Sequence, residues 1–177
     1  MNNVEIQGRV CSKIPGYIFI DARRTSGISD IIPVKNLHAD INERVHIIGR
    51  LKTRNFVDAN NVRHKEMYVE CTSMMELEGQ HDINTVRFDG YICKKEVLRS
   101  TPNGRTILDF TAAINENSSS SYISCIIWSK AAKWLSELDI GTKVYIAGRF
   151  QSREYTKNDE TKIAYEISVN NIRMHRS

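Results

Sequence analysis

Aromatic and cationic side chains recur along one stretch of the sequence, residues 122–155. Tyr122, Trp128 and Tyr155 lie on or at the ends of runs rich in β-branched residues. The cations near them, and a second group upstream, are Lys130, Arg149, Arg153, Lys157, Lys94, Lys95, Arg99 and Arg105. Proteins hold unpaired nucleic-acid strands with cations that follow the phosphates and with aromatic faces that stack on bases. The stretch therefore favours a surface that binds single-stranded nucleic acid.

Motifs typical of catalysis are absent from the sequence. It contains no Gly-rich loop followed by Lys-Ser/Thr, no Gly-x-Ser-x-Gly and no His-Glu-x-x-His, and its five histidines are scattered. Its four cysteines (Cys11, Cys71, Cys93 and Cys125) form no Cys-x-x-Cys pair. Each lies in or beside an apolar run, which favours buried, reduced thiols. We expect no enzymatic activity, no cofactor and no metal site.

The composition is that of an ordinary globular protein. The 177 residues are 41% hydrophobic and 26% charged, enough for one domain or two small ones. No apolar run approaches the roughly 20 residues of a membrane helix, and the first residues do not resemble a secretion signal, so we expect a cytoplasmic protein. Residues 1–82 hold eleven charges of each sign, whereas residues 83–177 hold fourteen Lys/Arg against ten Asp/Glu. The net charge of +4 thus belongs to the second half, which suits a partner carrying phosphates.

Alternating apolar and polar residues predict strands throughout the first half of the chain. The predicted strands cover residues 4–10, 17–22, 28–34, 44–51 and 64–74. A polar, acidic stretch follows at residues 76–84 and is interpreted as containing a linker. Five short strands joined by polar turns are typical of the OB-fold, a small Greek-key barrel.

The pattern then begins again. Asn84-Thr-Val-Arg-Phe-Asp-Gly-Tyr-Ile-Cys93 matches Asn2-Asn-Val-Glu-Ile-Gln-Gly-Arg-Val-Cys11, and Gly148-Arg repeats Gly49-Arg. The second set of predicted strands covers residues 84–93, 105–114, 122–128, 143–155 and 162–174, with polar loops at 115–121 and 156–161. Asn103-Gly104 supplies positive φ angles for a hairpin turn, and a helix capped by Ser129 runs to about Leu138 and is ended by Gly141.

These elements predict an all-β protein of two tandem OB-fold (five-stranded Greek-key) barrels, the second with a short connecting helix. The predicted domains are 1–78, a linker at 79–83, and 84–177.

Several motifs of the second half occur in the same order in a known family. They are Leu98-Arg99-x-Thr101-Pro-Asn-Gly104, Phe110-Thr-x-Ala113, Tyr122-Ile-x-Cys-Ile-Ile-Trp-x-Lys-x-Ala132 and Gly148-Arg-Phe followed by Arg153-x-Tyr155. In these motifs residues 84–174 resemble the bacterial single-stranded DNA-binding protein family. The resemblance implies that Tyr122, Trp128 and Tyr155 are the base-stacking residues. Alternation alone leaves the face of Trp128 open.

The chain departs from the family pattern in three places. The polar loop at 115–121 is short, which predicts weaker binding or a smaller footprint. The sequence ends Ile172-Arg-Met-His-Arg-Ser instead of in an acidic, Phe-terminated tip, which puts the family's recruitment of other proteins in doubt. The first half resembles the family only weakly. Aligning Ile31-Ile32 with Ile126-Ile127 replaces Trp128 by Pro33 and Tyr122 by Gly27, and only Phe56, with Arg54 beside it, remains as a counterpart of Tyr155.

The leading functional hypothesis is sequence-independent binding of single-stranded DNA during replication, recombination or repair. In this hypothesis the second barrel binds the strand. The first barrel is neutral, poor in stacking residues and mainly an assembly partner, and the resemblance implies a homodimer with four barrels. One alternative is a primosomal-type accessory protein that acts through protein contacts and binds nucleic acid weakly. The other is a single-stranded RNA-binding barrel, since the sequence does not separate DNA from RNA.

Overall fold

The computed structural model describes residues 1–175, and these form two β-barrels. The first barrel contains β1 (Asn2–Ile14), β2 (Tyr17–Arg23), β3 (Ser29–Lys35), β4 (Arg44–Val57) and β5 (Arg63–Met75). The second contains β6 (Ile83–Lys95), β7 (Arg99–Ser100), β8 (Thr106–Glu116), β9 (Ser119–Trp128), α1 (Ser129–Glu137), β10 (Lys143–Lys157) and β11 (Glu160–Met174). Within the described residues no helix is long and apolar enough to cross a membrane. The last two residues of the tail considered above, 176 and 177, lie outside the described residues.

Each barrel closes through the same set of strand pairings. In the first barrel β1 pairs with β2 and β4, β2 with β3, β4 with β5, and β3 runs parallel to β5. In the second barrel β6, β8, β9, β11 and β10 repeat this order, again with one parallel pair, β9 with β11. This closure is that of the OB-fold, so the predicted tandem barrels are confirmed.

The two barrels join through an antiparallel pairing of β1 with β6. Val4 lies opposite Val86, its own counterpart in the sequence repeat, and Asn2 and Asn84 lie at equal distances on either side of this pair. An approximate two-fold axis therefore passes through the Val4–Val86 pair and relates one barrel to the other.

Equivalent side-chain contacts in the two halves follow this axis. The Asn2 side chain donates to the carbonyl of Leu51 (3.1 Å) and accepts from its amide (2.9 Å). Asn84 makes the same two bonds to Phe150, at 2.8 Å each. The sequence repeat is thus a structural repeat, with residues 2 and 51 equivalent to residues 84 and 150.

Two predicted loops are two-residue turns between strands. Asn117 and Ser118 both have positive φ angles, 42° and 67°, the backbone that a tight hairpin requires. The strands therefore extend through most of the predicted 115–121 loop, and the predicted 156–161 loop shortens in the same way to residues 158–159. In the hairpin before β8 only Gly104 has a positive φ (75°), because residues 101–104 form a four-residue turn in which the Gly104 amide donates to the Thr101 carbonyl.

The helix packs on the second barrel and ends within one residue of Leu138, as predicted, but neither Ser129 nor Gly141 has its predicted role. Ser129 is the first helical residue, with φ of 60°, and no side chain caps the helix. The helix ends at Glu137, so Gly141 lies in the following turn. The buried face includes Leu135, while Trp134 is half-buried against the core.

The predicted burial of the cysteines holds for one of the four. Cys125 points into the second barrel and is 2% exposed. Cys11 is exposed, and Cys71 and Cys93 are half-exposed. Apolar runs did not reveal the faces of these cysteines because β1 and β6 carry a bulge at Cys11 and Cys93, and β5 carries one at Thr72, next to Cys71.

The segment between the barrels, residues 76–82, contains no strand but is fixed to the first barrel. The buried Gln7 side chain donates to the carbonyls of Glu78 (2.7 Å) and His81 (2.6 Å) and accepts from the Glu78 amide (2.6 Å). β6 begins at Ile83, the last residue of the predicted linker. A segment held in this way positions the second barrel instead of leaving it free to swing.

Candidate nucleic-acid interface

The outer face of β9 carries two of the predicted stacking residues. Ile123, Cys125 and Ile127 alternate into the barrel core, so the residues between them face outward. Tyr122 is 46% exposed on this face, and Trp128 lies on it six residues later, partly exposed. The structure thereby settles the face of Trp128 that alternation left open.

The outer face of β10 carries the third aromatic residue together with two of the predicted cations. Arg149, Arg153 and Tyr155 lie at alternate positions opposite the inward-facing Phe150, and Tyr155 is 38% exposed. β11 lies between β10 and β9 in the sheet. The outer faces of β9, β11 and β10 are therefore neighbours on one side of the second barrel. This side, here called the stacking surface, contains Tyr122, Trp128, Arg153 and Tyr155, with the outward-facing Ile126, Glu166 and Ser168 buried between them.

Three predicted cations are presented in ion pairs. Lys94 pairs with Glu96, Arg99 with Asp109 at 2.7 Å, and Arg153 with Glu166 at 3.3 Å. The side chains of Lys94, Arg99 and Arg153 are 68%, 55% and 55% exposed, and the pairs of Lys94 and Arg99 are weak enough to be exchanged for phosphate contacts. Strand pairing brings Asp109 and Glu166 to their partners, so these two carboxylates left no local signal in the sequence, whereas Glu96 lies only two residues from Lys94.

The other predicted cations differ in whether their charged groups are exposed or already bonded within the fold. Lys130 and Arg105 are exposed. The Lys95 ammonium donates to the carbonyls of Ser136 and Leu138, where it satisfies the C-terminal end of α1. The charge of Lys95 therefore stabilises the end of α1, and Lys95 is not part of the proposed site.

Arg149 lies where the two barrels meet. Its guanidinium donates to the Gln151 side-chain oxygen at 3.0 Å, and its Nε is 3.9 Å from an Asp30 carboxylate oxygen. Burial, and next the positive charge of Arg24, lower the pKa of Arg149. It faces the junction of the barrels, at one end of the row that leads to Arg153 and Tyr155.

The predicted binding residues of the first barrel are covered by its own side chains. Phe56 stacks on His64 with ring centroids 5.1 Å apart, and the Arg54 guanidinium lies 5.5 Å from the Phe56 ring. Arg54 also pairs with Glu66 at 3.0 Å.

The first barrel is nevertheless not poor in aromatic residues, which corrects the sequence interpretation. The Lys35 ammonium lies between Tyr17 and Tyr68, 4.6 and 4.5 Å from the two ring centroids, and Phe19 lies beside Tyr17. The alternation of Tyr17 with Phe19 was a signal that could have predicted this cluster. By contrast, no ring or cation stacks on Tyr122, Trp128 or Tyr155 within residues 1–175.

The two-fold axis also corrects the alignment of the first barrel with the second. The amide of Tyr122 donates to the Thr53 hydroxyl (3.0 Å), and the amide of Ile31 donates to the Ser152 hydroxyl (2.8 Å). Since Thr53 and Ser152 are equivalent in the repeat, Ile31 is the counterpart of Tyr122, not Gly27. Six residues further on, Trp128 corresponds to Leu37, not to Pro33. β3 ends at Lys35, so the first barrel has no strand at that position.

One group of potential metal ligands occurs among residues 1–175, namely Glu5, His46 and Glu78. Both ring nitrogens of His46 already have protein partners, the Glu76 carbonyl at 2.8 Å and the Glu5 carboxylate at 3.0 Å. These bonds hold the segment between the barrels, and we assign the group a structural role.

Comparison with known proteins agrees with this geometry. The sequence model of the Single-strand binding protein family matches residues 83–175. The chain belongs to this family. The resemblance predicted from the motifs is confirmed, and a family of binding proteins agrees with the expectation that the chain is not an enzyme.

Individual relatives each match about half of the chain. The chain is 30% identical to a single-stranded DNA-binding protein of Halalkalibacterium halodurans over 46% of its own length and 53% of the relative. It is 32% identical to one of Enterococcus faecalis over 49% and 50%, respectively. The chain thus spans about half the length of these relatives.

A solved structure matches both barrels. The wild-type single-stranded DNA-binding protein of Thermus aquaticus superimposes with a TM-score of 0.76 at 19% identity, covering 100% of this chain and 94% of that one. At this identity the match establishes the fold alone, and it does so for the tandem arrangement of two barrels.

Proposed function

We propose that this protein binds single-stranded DNA without sequence preference, on the stacking surface of its second barrel, in DNA replication, recombination or repair. The observation that carries the proposal is that Tyr122, Trp128 and Tyr155 lie on the same outer side of the second barrel and that no ring or cation among the described residues stacks on them. Membership of the single-strand binding protein family supports it.

The proposed mechanism combines base stacking with phosphate contacts. Each stacked base contributes about 1–3 kcal/mol, and any base can stack because every base has a π-face. Lys94 and Arg99 exchange their exposed carboxylate partners for phosphates, while Arg153 offers its exposed guanidinium beside the buried Glu166. Lys130 and Arg105 add positive charge at the edges. Phosphates carry no sequence information, so the binding is independent of sequence and weakens as salt rises.

In this proposal the domains are 1–78, a linker at 79–83, and 84–177, and the first barrel serves mainly in assembly. Its Phe56, Tyr17 and Tyr68 rings are covered by neighbouring side chains, which supports the assignment. We further propose a homodimer in the cytoplasm. Since each chain already contains a symmetric pair of barrels, two chains would give four.

Substitution of the stacking residues tests the proposal. Trp128→Ala and Tyr155→Ala should each weaken binding of a fluorescent oligothymidine roughly 5- to 150-fold, the equivalent of one lost stack of about 1–3 kcal/mol. Phe56→Ala, at the counterpart of Tyr155 in the first barrel, is the matched control and should change affinity less than about threefold, because its ring is already covered.

Circular dichroism should confirm that all three variants fold. Unchanged affinity in folded Trp128→Ala and Tyr155→Ala proteins would remove the stacking assignment. An equal loss in Phe56→Ala would show that both barrels bind. The same titration with oligouridine separates DNA from RNA, and absence of binding to either strand would favour the accessory interaction protein.

A further inference from the structure

A basic cleft lies between the two barrels, away from the stacking aromatic residues. Its volume is about 930 Å³. Its walls come from β1, the end of β2 with the turn that follows, β4, the segment between the barrels, and β10. Five arginines line this junction cleft: Arg9, Arg23, Arg24, Arg44 and Arg149.

The carboxylates at the cleft do not balance the arginines. Asp21 and Asp82 line it, and Asp30 lies fully buried beneath it. Arg24 is paired with Asp30 through two hydrogen bonds of 2.6 and 2.8 Å, and Arg44 lies 3.0 Å from Asp82. Five arginines against three carboxylates leave an excess of positive charge.

Among the remaining arginines, Arg149 has its carboxylate contact at 3.9 Å, from its Nε to an Asp30 oxygen that Arg24 also holds. Arg9 donates to the Asn42 carbonyl at 2.5 Å, and Arg149 donates to the Gln151 amide oxygen at 3.0 Å, so both bond neutral acceptors. The Arg149 Nε is buried without a hydrogen-bond acceptor. Burial, and next the positive charge of Arg24, lower the pKa of Arg149, and the Asp30 carboxylate offsets part of this. Arg23 is exposed.

The pairing of the two barrels does not itself require the five cleft arginines. The two-fold axis gives the junction an equivalent opposite end, and that end does not repeat all five. The two-fold axis places Tyr91 opposite Arg9, and Ser121 opposite Asp30. Arg50 and Lys143 are the counterparts of Arg149 and Arg44. The same joint is therefore built twice, with a basic cleft of this kind at one end.

We propose that the junction cleft binds phosphate groups of a nucleic-acid strand and extends its path from the stacking surface of the second barrel into the junction, without stacking on the first barrel. Arg149 in the cleft precedes Arg153 and Tyr155 on the same face of β10, and alternate residues of a strand lie about 6.8 Å apart. The cleft is thus continuous with the stacking surface. Planar guanidinium groups match phosphate oxygens with paired hydrogen bonds. The inference rests on the proposed function for the identity of the strand.

The test uses the full chain with a double variant, Arg9→Gln with Arg23→Gln, whose side chains are both exposed. The matched control, Arg50→Gln with Lys143→Gln, removes the same charge at the opposite end of the junction. Both are titrated with oligothymidine of about 8 nucleotides, within the site size of one barrel, and of about 32 nucleotides, enough for two.

The cleft variant should bind the long strand at least about tenfold more weakly at low salt, with the slope of log K against log salt reduced by roughly 1.4, since two phosphate contacts are lost. The short strand should bind as before. In the control variant, the affinity for the long strand and its salt slope should both change much less than in the cleft variant.

Equal effects of the cleft and control variants would overturn the proposal. A second outcome would also overturn it: the cleft variant loses binding of inorganic pyrophosphate, but its slope of log K against log salt for the long strand is unchanged. The cleft would then bind a free anion instead of a strand. Failure of the parent protein to bind the short strand would instead count against the proposed function. Arg23→Glu alone provides the test again if the double variant does not fold.

Discussion

Replacement of Asp30 by alanine should weaken the joint between the barrels. The Asp30 carboxylate is fully buried, accepts two hydrogen bonds from Arg24, and is approached by the Ser152 amide at 3.4 Å. Removing one partner of a buried ion pair costs about 3–5 kcal/mol. The Arg24 side chain is 22% exposed, and water can solvate part of its charge, so we expect a loss of about 2–4 kcal/mol. For a protein of this size the melting temperature should fall by roughly 5–15 °C.

The chain offers a matched control at the other end of the joint. Ser121 occupies the position equivalent to Asp30, and its hydroxyl accepts a single bond from the Thr53 amide at 3.3 Å. Ser121→Ala should therefore cost only about 0.5–1.5 kcal/mol. Urea unfolding of both variants gives the two free energies. If Asp30→Ala cost no more than Ser121→Ala, the ion pair would not stabilise the joint and the reasoning would be refuted.

Three further predictions concern stability and reactivity. A Cβ at Gly148 would meet a β11 carbonyl oxygen at 2.2 Å, whereas a Cβ at Gly90 would meet a β8 carbonyl oxygen at 3.1 Å. Gly148→Ala should therefore lower the melting temperature more than Gly90→Ala does, and equal shifts would contradict this. At Glu116 burial raises the pKa but the Lys52 hydrogen bond and charge outweigh it, so the folded pKa is lowered. The stabilisation is present above the unfolded pKa and lost as pH falls through the folded one. Lys52→Ala should thus destabilise at pH about 7, with the difference shrinking as pH falls below the unfolded pKa of about 4.3, and a pH-independent difference would count against the pair. Burial raises the pKa of Cys125, so a thiol reagent should label it only after unfolding, and rapid native labelling would contradict its placement.

The barrels were predictable because their strands follow a period of two and because the chain repeats its pattern. Alternation separates an inner from an outer face wherever one face is buried. The Asn-x-Val and Gly-Arg motifs recur in both halves and lie at equivalent places in the fold. Turn lengths were less predictable, since Asn117 and Ser118 adopt positive φ angles without the glycine that usually signals such a hairpin.

The outer surface was harder to predict, because some outward-facing residues of the strands are buried and apolar, and alternation then no longer separates the inner face from the outer one. Ile126 points outward from β9 yet is only 6% exposed, so the run from Cys125 to Ile127 reads as continuously apolar. The face of Trp128 could not be read through it. The Ile-Ile similarity also gave a wrong register for the first barrel, because β3 is shorter than β9.

Contacts between the barrels left no local signal at all. Lys65 donates to the Ser124 hydroxyl at 3.0 Å across 59 residues of sequence. The cleft arginines come from four separate segments, and only Arg149 was selected from the sequence. Their grouping depends on the two-fold arrangement, which the repeat alone does not define.

The central claim is that the second barrel stacks bases on its outer surface. Tryptophan fluorescence tests this claim most directly. In a Trp134→Phe variant Trp128 is the only tryptophan, and oligothymidine should quench its emission, less strongly at about 200 mM than at about 50 mM salt, while duplex DNA has little effect. In a Trp128→Phe variant, where the half-buried Trp134 remains, quenching should be small. If anisotropy reported tight binding to the Trp134→Phe protein while Trp128 emission stayed unchanged, the bases would not stack at Trp128, and the account of the site would be contradicted.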